Sequence, residues 1–160
     1  MRRWAEVLED ADLANWEGRV ETDRYGHAIM SPPPANEHSK RQSRVNVLLS
    51  NLLPNGIGLV ECAISTKNGV RAADVAWISA EREAEIEAVG CFVKAPEICV
   101  EIVSPRNTRR EMRDKKALCF AAGAVEVWFC QGNGEMIFYC SKDSVGEPHS
   151  LLCPQFPKWV

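Results

Sequence analysis

Two acids of this chain stand inside otherwise apolar runs. Glu101 interrupts Ile98-Cys99-Val100 and Ile102-Val103, and Asp74 lies within Ala72-Ala73-Asp74-Val75-Ala76-Trp77. Runs this apolar mark strands covered on both faces. An ionised carboxylate buried there costs several kcal/mol unless a cation or metal neutralises it. One such acid can be a structural hydrogen-bond acceptor. Two, on separate strands joined by one connection, suggest neighbouring strands offering carboxylates to one hard cation. Mg²⁺ is held by one or two carboxylates, waters and substrate phosphate oxygens, so two acids suffice. The backbone carbonyl of Ile102 adds a hard donor beside Glu101.

An amine completes the set. Ser104-Pro105 ends the second strand, since Pro lacks the N–H of a central ladder. Thr108 with Glu111 then reads as a capping box opening a helix. At ~100° per residue, Lys115 falls between Leu118 and Cys119, and Lys116 between Met112 and Phe120. Periodicity does not choose between them, and both also fit a reading in which they snorkel to solvent. Carboxylates, a divalent cation and an ammonium together suit phosphodiester hydrolysis. The metal lowers the pKa of water and neutralises charge on phosphorus, while the ammonium orients the water or stabilises the phosphorane oxygens.

Composition narrows the classes. The chain has 160 residues, 46% hydrophobic and 26% charged, with a net charge of −3. One globular domain over residues 1–160 is the expectation, not a protein that coats polyanions generally. Charge is nonetheless uneven. Arg106, Arg109, Arg110, Arg113, Lys115 and Lys116 fall together, and Lys40, Arg41 and Arg44 form a smaller group. Such runs fit a solvated helix face with i,i+4 pairs, or local phosphate contacts. Seven cysteines without a CxxC pair give neither a disulfide framework nor a zinc site. Cys62, Cys99, Cys130 and Cys140 read as small buried hydrophobes. Acids where a signal peptide needs its apolar segment, and no ~20-residue apolar run, predict a cytoplasmic chain.

The elements that must position these groups are legible in order. Residues 3 to about 14 predict a short amphipathic helix through Trp4, Val7 and Leu8. Arg19 to Met30 predicts a hairpin turning at Asp23-Arg24-Tyr25-Gly26. Ser31-Pro32-Pro33-Pro34 is a rigid linker, followed by a helix from about Asn36 to Leu53 with Val45, Leu48, Leu49 and Leu52 on one side. Gly58–Thr66 and Val70–Ile78 predict strands joined through Lys67-Asn68-Gly69. The acids from Glu81 to Glu87 predict a polar connection. Gly123 marks the C-cap of the helix after Thr108, and Val125–Cys130 with Met136–Cys140 predict a second hairpin. The tail from Leu151-Leu152 to Phe156 and Trp159 is apolar enough to pack back. This order predicts an α/β or α+β fold with a mixed sheet flanked by helices.

GVRAADVAWIS and EICVEIVSPRNTRREMRDKKALCFAAGAVEVWF, with RVETDRYGHAIMSPPPANEHSKRQ upstream and SLLCPQFPKW downstream, resemble the Uma-two family of restriction-endonuclease-like proteins. That family lies within the PD-(D/E)XK nuclease superfamily, and the likeness covers nearly the whole chain. It implies a restriction-endonuclease-like core and a Mg²⁺-dependent (or Mn²⁺-dependent) DNA endonuclease using a metal-activated water. It also implies that Asp74 and Glu101 bind the metal. The superfamily lysine normally sits two residues after that glutamate, where this chain has Val103. The resemblance implies that its place is taken by Lys115. Glu21 matches an acid kept near the metal site, although sequence alone predicts it to be exposed. His38 matches a position after the proline-rich loop, with Gln42 one turn on, and both are candidate nucleic-acid contacts beside Arg109, Arg113 and Lys116. The superfamily commonly dimerises, which implies a homodimer through the long second helix or the C-terminal hairpin.

Two departures stand out: Ala73 replaces the proline of the PD step, and Cys119 stands where the family often has tyrosine. Neither removes a ligand. Other classes remain alongside: a catalytically degenerate nuclease fold that binds nucleic acid or regulates, and an interaction protein whose basic helix meets an acidic partner. His27, His38 and His149 are scattered without zinc-ligand spacing, and no cysteine has a histidine partner in sequence.

Overall fold

The computed structural model describes residues 4–86 and 90–160. Arg3, at the expected start of the first helix, and Glu87, at the end of the expected acidic connection, lie outside the described residues. Two short helices, α1 (Trp4–Leu8) and α2 (Ala11–Ala14), replace the single expected helix. Asp10 is the reason. Its carboxylate accepts from the amides of Asp12 and Leu13 at 3.0 and 3.2 Å, capping a new helix where the first would have continued.

The first hairpin is present as β1 (Arg19–Thr22) and β2 (Ala28–Ser31), antiparallel and forming a sheet of their own. Asp23 fixes its turn by accepting from the amides of Tyr25 and His27 at 2.8 and 2.9 Å. Beyond the prolines, α3 (Asn36–Leu52) buries Val45 and Leu49 completely. Its far end is pinned where Trp77 Nε1 donates to the Leu53 carbonyl at 3.0 Å.

β3 (Gly56–Thr66) and β4 (Gly69–Ser79) make the long hairpin foreseen at Asn68-Gly69. Gly69 has φ +95°, and a Cβ there would lie 2.3 Å from the carbonyls of Thr22 and Asp23. The glycine therefore also lets the first hairpin dock. The expected polar connection contains a short helix, α4 (Ala80–Glu85), capped by Ser79 accepting from the Arg82 amide. β5 (Ile98–Ile102) follows. Next comes α5 (Arg109–Ala121), which opens on the Thr108–Glu111 capping box and is followed by Gly123 at φ +107°. β6 (Glu126–Cys130) and β7 (Met136–Tyr139) close the main sheet, whose order is β3-β4-β5-β6-β7. Among the described strands of this sheet only β5 and β6 pair in parallel, and α5 is the crossover such a pair requires. This is the mixed, helix-flanked sheet that the element order predicts.

Every residue of β5 is buried. Ile98, Val100 and Ile102 join Val45 and Leu49 of α3 in one core cluster, while Cys99 joins Met112 and Cys119 of α5 in the other. The two helices thus cover opposite faces of the sheet. The tail packs back through Cys153 and Phe156, the latter 4.7 Å from the Trp128 ring. Leu151 and Trp159 stay exposed, contrary to the sequence pattern. What anchors this tail is the buried Glu126. It accepts from Trp128 Nε1 and Ser150 Oγ at 2.7 Å and from the amides of Leu151 and Leu152 at 2.8 Å. Cys62, Cys99 and Cys130 are buried as expected, but Cys140, at the outer end of β7, is exposed. No helix among the described residues is long and apolar enough to cross a membrane.

The seating of α3 rests on Leu49, which has no exposed surface. Leu49→Ala should therefore lower unfolding stability by about 3 kcal/mol, within the usual range for a buried leucine. Urea denaturation should show a lower midpoint at an unchanged slope.

Candidate active site

β4 pairs with β3 along nearly its whole length but with β5 only from Val75 to Trp77. One step beyond the Val75–Val100 pair, the register opposes Asp74 to Glu101, and the ladder stops. Asp74 replaces it with a side chain: Oδ2 accepts the Ile102 amide at 2.6 Å. Both acids are nearly sealed, at 2% and 4% exposure. The two carboxylates expected from the sequence are therefore neighbours.

Helix α5 supplies the amine. Lys115 Nζ lies 3.0 Å from Glu101 Oε2. Lys116 turns elsewhere, its ammonium 4.1 Å from the centre of the Tyr139 ring and 3.4 Å from the Ser144 carbonyl. One residue of helical rotation separates the two directions, and the choice that periodicity leaves open falls on Lys115.

The hairpin explains Glu21. Because β5 leaves β4 early, residues 70–72 of β4 have no strand on that side, and β1 closes the gap with side chains. Thr22 Oγ1 accepts the Val70 amide and Glu21 Oε1 the Ala72 amide, both at 2.9 Å, while Arg19 Nη1 donates to the Ala72 carbonyl at 3.4 Å. Glu21 is consequently 7% exposed, not solvated as sequence alone predicts. Its outer oxygen lies 3.9 Å from Arg71, and its charge acts on Lys115.

From α3 come His38 and Gln42. His38 Nε2 is 3.4 Å from Asp74 Oδ2, and its buried Nδ1 has no partner. Gln42 Nε2 donates to the Asp74 carbonyl and to Glu61 Oε1, both at 2.7 Å. Arg109 and Arg113 lie on the exposed face of α5, without an ion-pair partner among the described residues.

Two residues here escape the sequence reading. Arg19 donates from Nη2 to Asp74 Oδ1 and grips Glu61 through Nε and Nη2 at 2.7 and 2.9 Å. Glu61 lies opposite Asp74 on β3, where the β3–β4 register skips a pair. A signal for Arg19 existed: it stands two residues before Glu21, so on a strand both project to one side.

The electrostatics divide the acids. Burial opposes ionisation of Asp74, but His38 and Arg19 outweigh it and hold the carboxyl at about 2. Burial dominates at Glu101, with Lys115 pulling the other way and Asp74 adding repulsion, and its pKa is pushed up to about 7. Lys115 is raised above its ordinary value, chiefly by Glu101. Glu101 is thus the titrating member of the pair. Since its folded pKa exceeds the ordinary 4.5, its contribution to stability falls as pH rises from 4.5 through about 7. Asp74 is opposite: its contribution is complete above 3.8 and is lost as pH falls towards about 2.

The donor set can be tested against a divalent ion. Among the described residues no group of three or more His, Cys, Asp and Glu side chains is arranged as a metal cage. Mg²⁺ does not require one, and two carboxylates with waters and phosphate oxygens satisfy it. Glu101 Oε1 has no hydrogen-bond partner among the described residues, which leaves a hard oxygen for an ion. By donor chemistry the residues present fit Mg²⁺ or Mn²⁺, with Arg19, His38 and the Ile102 amide engaging the Asp74 oxygens.

A family model described as "Putative restriction endonuclease" matches residues 5–157. Among solved structures, a crystal structure titled as a putative nuclease belonging to DUF820, from Anabaena variabilis, superposes with a TM-score of 0.71 at 19% identity. The alignment covers 94% of this chain and 88% of that one, and at this identity the likeness speaks for the fold. No curated protein matches the chain.

Lys115→Met removes the cation on Glu101 and should push that carboxyl further above about 7, whereas Lys116→Met should leave it in place. Titration of the glutamate side-chain carbons by NMR checks this, and equal shifts in both variants would reverse the assignment.

Proposed function

The chain belongs to the Uma2 family of putative restriction endonucleases, and from that membership and the site's geometry we propose that it is a Mg²⁺-dependent endonuclease hydrolysing phosphodiester bonds of DNA. The observation that carries the reading is the meeting of three groups from three elements: Asp74 of β4, Glu101 of β5 and Lys115 of α5. In it, Asp74 and the free oxygen of Glu101 hold the ion, aided by the Ile102 carbonyl. When bound, Mg²⁺ lowers the pKa of water and neutralises phosphate charge.

The remaining roles belong to the chain itself. Lys115 brings a permanent positive charge to the oxygens that become more negative as phosphorus is attacked, and it orients the water. Glu21 helps keep Lys115 protonated from the far side. His38, with its unpartnered Nδ1, and Gln42 line the α3 side, where His38 orders water or substrate. Arg109 and Arg113, exposed and without an ion-pair partner among the described residues, would meet phosphates flanking the scissile one, contacts that weaken with added salt. Lys116, engaged with Tyr139, contributes to packing in this scheme. Cutting both strands of a duplex calls for two such sites, which a homodimer would supply.

A nicking assay on supercoiled plasmid tests the proposal. The wild type should relax the plasmid with Mg²⁺ and not with excess chelator. Glu101→Ala and Lys115→Ala should each lose about a hundredfold or more. At pH 8.5 Lys115→Ala should bind Mg²⁺ no more weakly than the wild type, separating the amine's role from ion capture. Nicking that survives in Lys115→Ala would remove the amine from the mechanism.

The raised Glu101 pKa sets a pH dependence. A proton competes with the ion for this carboxylate, so apparent Mg²⁺ affinity should climb up to about tenfold per pH unit below about 7 and level off above it. Calorimetric titration at pH 5.5, 6.5, 7.5 and 8.5 reads this directly.

A further inference from the structure

We propose that Arg19 is the resident counter-cation of Asp74 and Glu61 its receiver, so that this pair sets how tightly the site takes a divalent ion. The inference rests on the metal reading above. Arg19 bridges two unlike carboxylates: the Asp74 side chain is 3% exposed and that of Glu61 44%. Both Asp74 oxygens are engaged, Oδ1 by Arg19 and Oδ2 by the Ile102 amide and His38. A divalent ion that uses Asp74 must therefore come up against a guanidinium, which does not deprotonate in proteins. The arginine has to yield.

The structure provides somewhere for it to go. Arg19 already holds Glu61 through two donors, at 2.7 and 2.9 Å, the bidentate geometry in which guanidinium–carboxylate pairs are strongest. Yielding means breaking the Nη2 bond to Asp74 while the fork to Glu61 persists. Glu61 is held for this purpose by an unusual backbone. It has φ +51°, the one non-glycine residue with positive φ among the described residues, a conformation disfavoured for residues with a Cβ. The same distortion leaves the β3–β4 register without its Glu61–Asp74 pair. Gln42 braces the result, joining Glu61 Oε1 to the Asp74 carbonyl at 2.7 Å each. A strap that only fastened β1 to the sheet would not need its acceptor opposite Asp74.

Arg19 and Glu61 are positioning residues on this account, and the readout is ion binding, not cleavage. Mn²⁺ is titrated calorimetrically into the full chain as wild type, Asp74→Asn, Arg19→Gln, Glu61→Gln and the Arg19→Gln/Glu61→Gln double variant. Arg19→Gln should tighten Mn²⁺ by about fivefold or more, the lower end of typical coupling between sites. Glu61→Gln should weaken it by a similar factor, because Asp74 is then the one carboxylate that the arginine holds. In the double variant the Glu61 effect should vanish, since it acts through Arg19. Unchanged affinity in Arg19→Gln, with binding lost in Asp74→Asn, overturns the inference and leaves the metal reading standing. Equal binding by wild type and Asp74→Asn overturns the metal reading itself. If Arg19→Gln does not fold, Glu61→Gln decides alone, and an affinity equal to wild type overturns the inference.

Discussion

Two nearly sealed carboxylates opposed across the end of a strand ladder are the constraint around which this structure is arranged. Neither Asp74 nor Glu101 could stay ionised there unaided, because desolvating a charge costs several kcal/mol. The fold answers each acid differently. Asp74 is surrounded by donors, namely an amide, an imidazole and a guanidinium, and remains charged across the ordinary pH range. Glu101 receives one ammonium, keeps an oxygen without a partner among the described residues, and has a pKa raised to about 7. The asymmetry means that one acid is settled and the other is not.

The architecture follows from supplying those donors. A strand that paired fully with β5 would leave no room for side chains at the β4 edge. The ladder stops at Val75, and the freed backbone groups must find other partners, since unpaired buried amides are costly. β1 provides them with side chains instead of a further ladder. Arg19 and Glu21 thereby do two jobs at once: they satisfy the Ala72 backbone and place opposite charges beside Asp74 and Lys115. The separate hairpin is part of the site because the main sheet is incomplete without it.

What the sequence made legible follows the range of the interactions. Asn68-Gly69, the Thr108–Glu111 capping box and Gly123 are local signals, and each element boundary they imply is present. Asp10 is equally local, but its capping role was hidden inside an amphipathic pattern that ran through it. Asp74 and Glu101 were visible because charge contrasts with apolar neighbours. Glu21 offered no such contrast, being in a short polar strand. Its burial depends on where β5 departs from β4, a fact about three distant segments. Arg19 was hidden for the same reason, and Glu61 because nothing local in β3 signals the skipped pair opposite Asp74. Lys115 and Lys116 show the limit from another side, since a helical wheel resolves a face and not which neighbour on it meets a carboxylate.

The position of the amine bears on the whole reading. At Val103, two residues beyond Glu101, a lysine would rise from the same strand and sit beside its acid by strand geometry alone. Here Val103 stays in apolar packing against the α5 cluster, and its amide donates to the Cys130 carbonyl at 2.8 Å. The charge arrives instead from fourteen residues on, through a capped helix, and reaches the same carboxylate at 3.0 Å. What electrostatics demands is a cation at that oxygen, not a particular route along the chain. A helix-borne lysine ties that cation to the docking of α5 through Met112, Leu118 and Cys119. Small shifts of that helix would move the amine while leaving the acids fixed, so in this arrangement the packing of one helix governs the charge balance of the site.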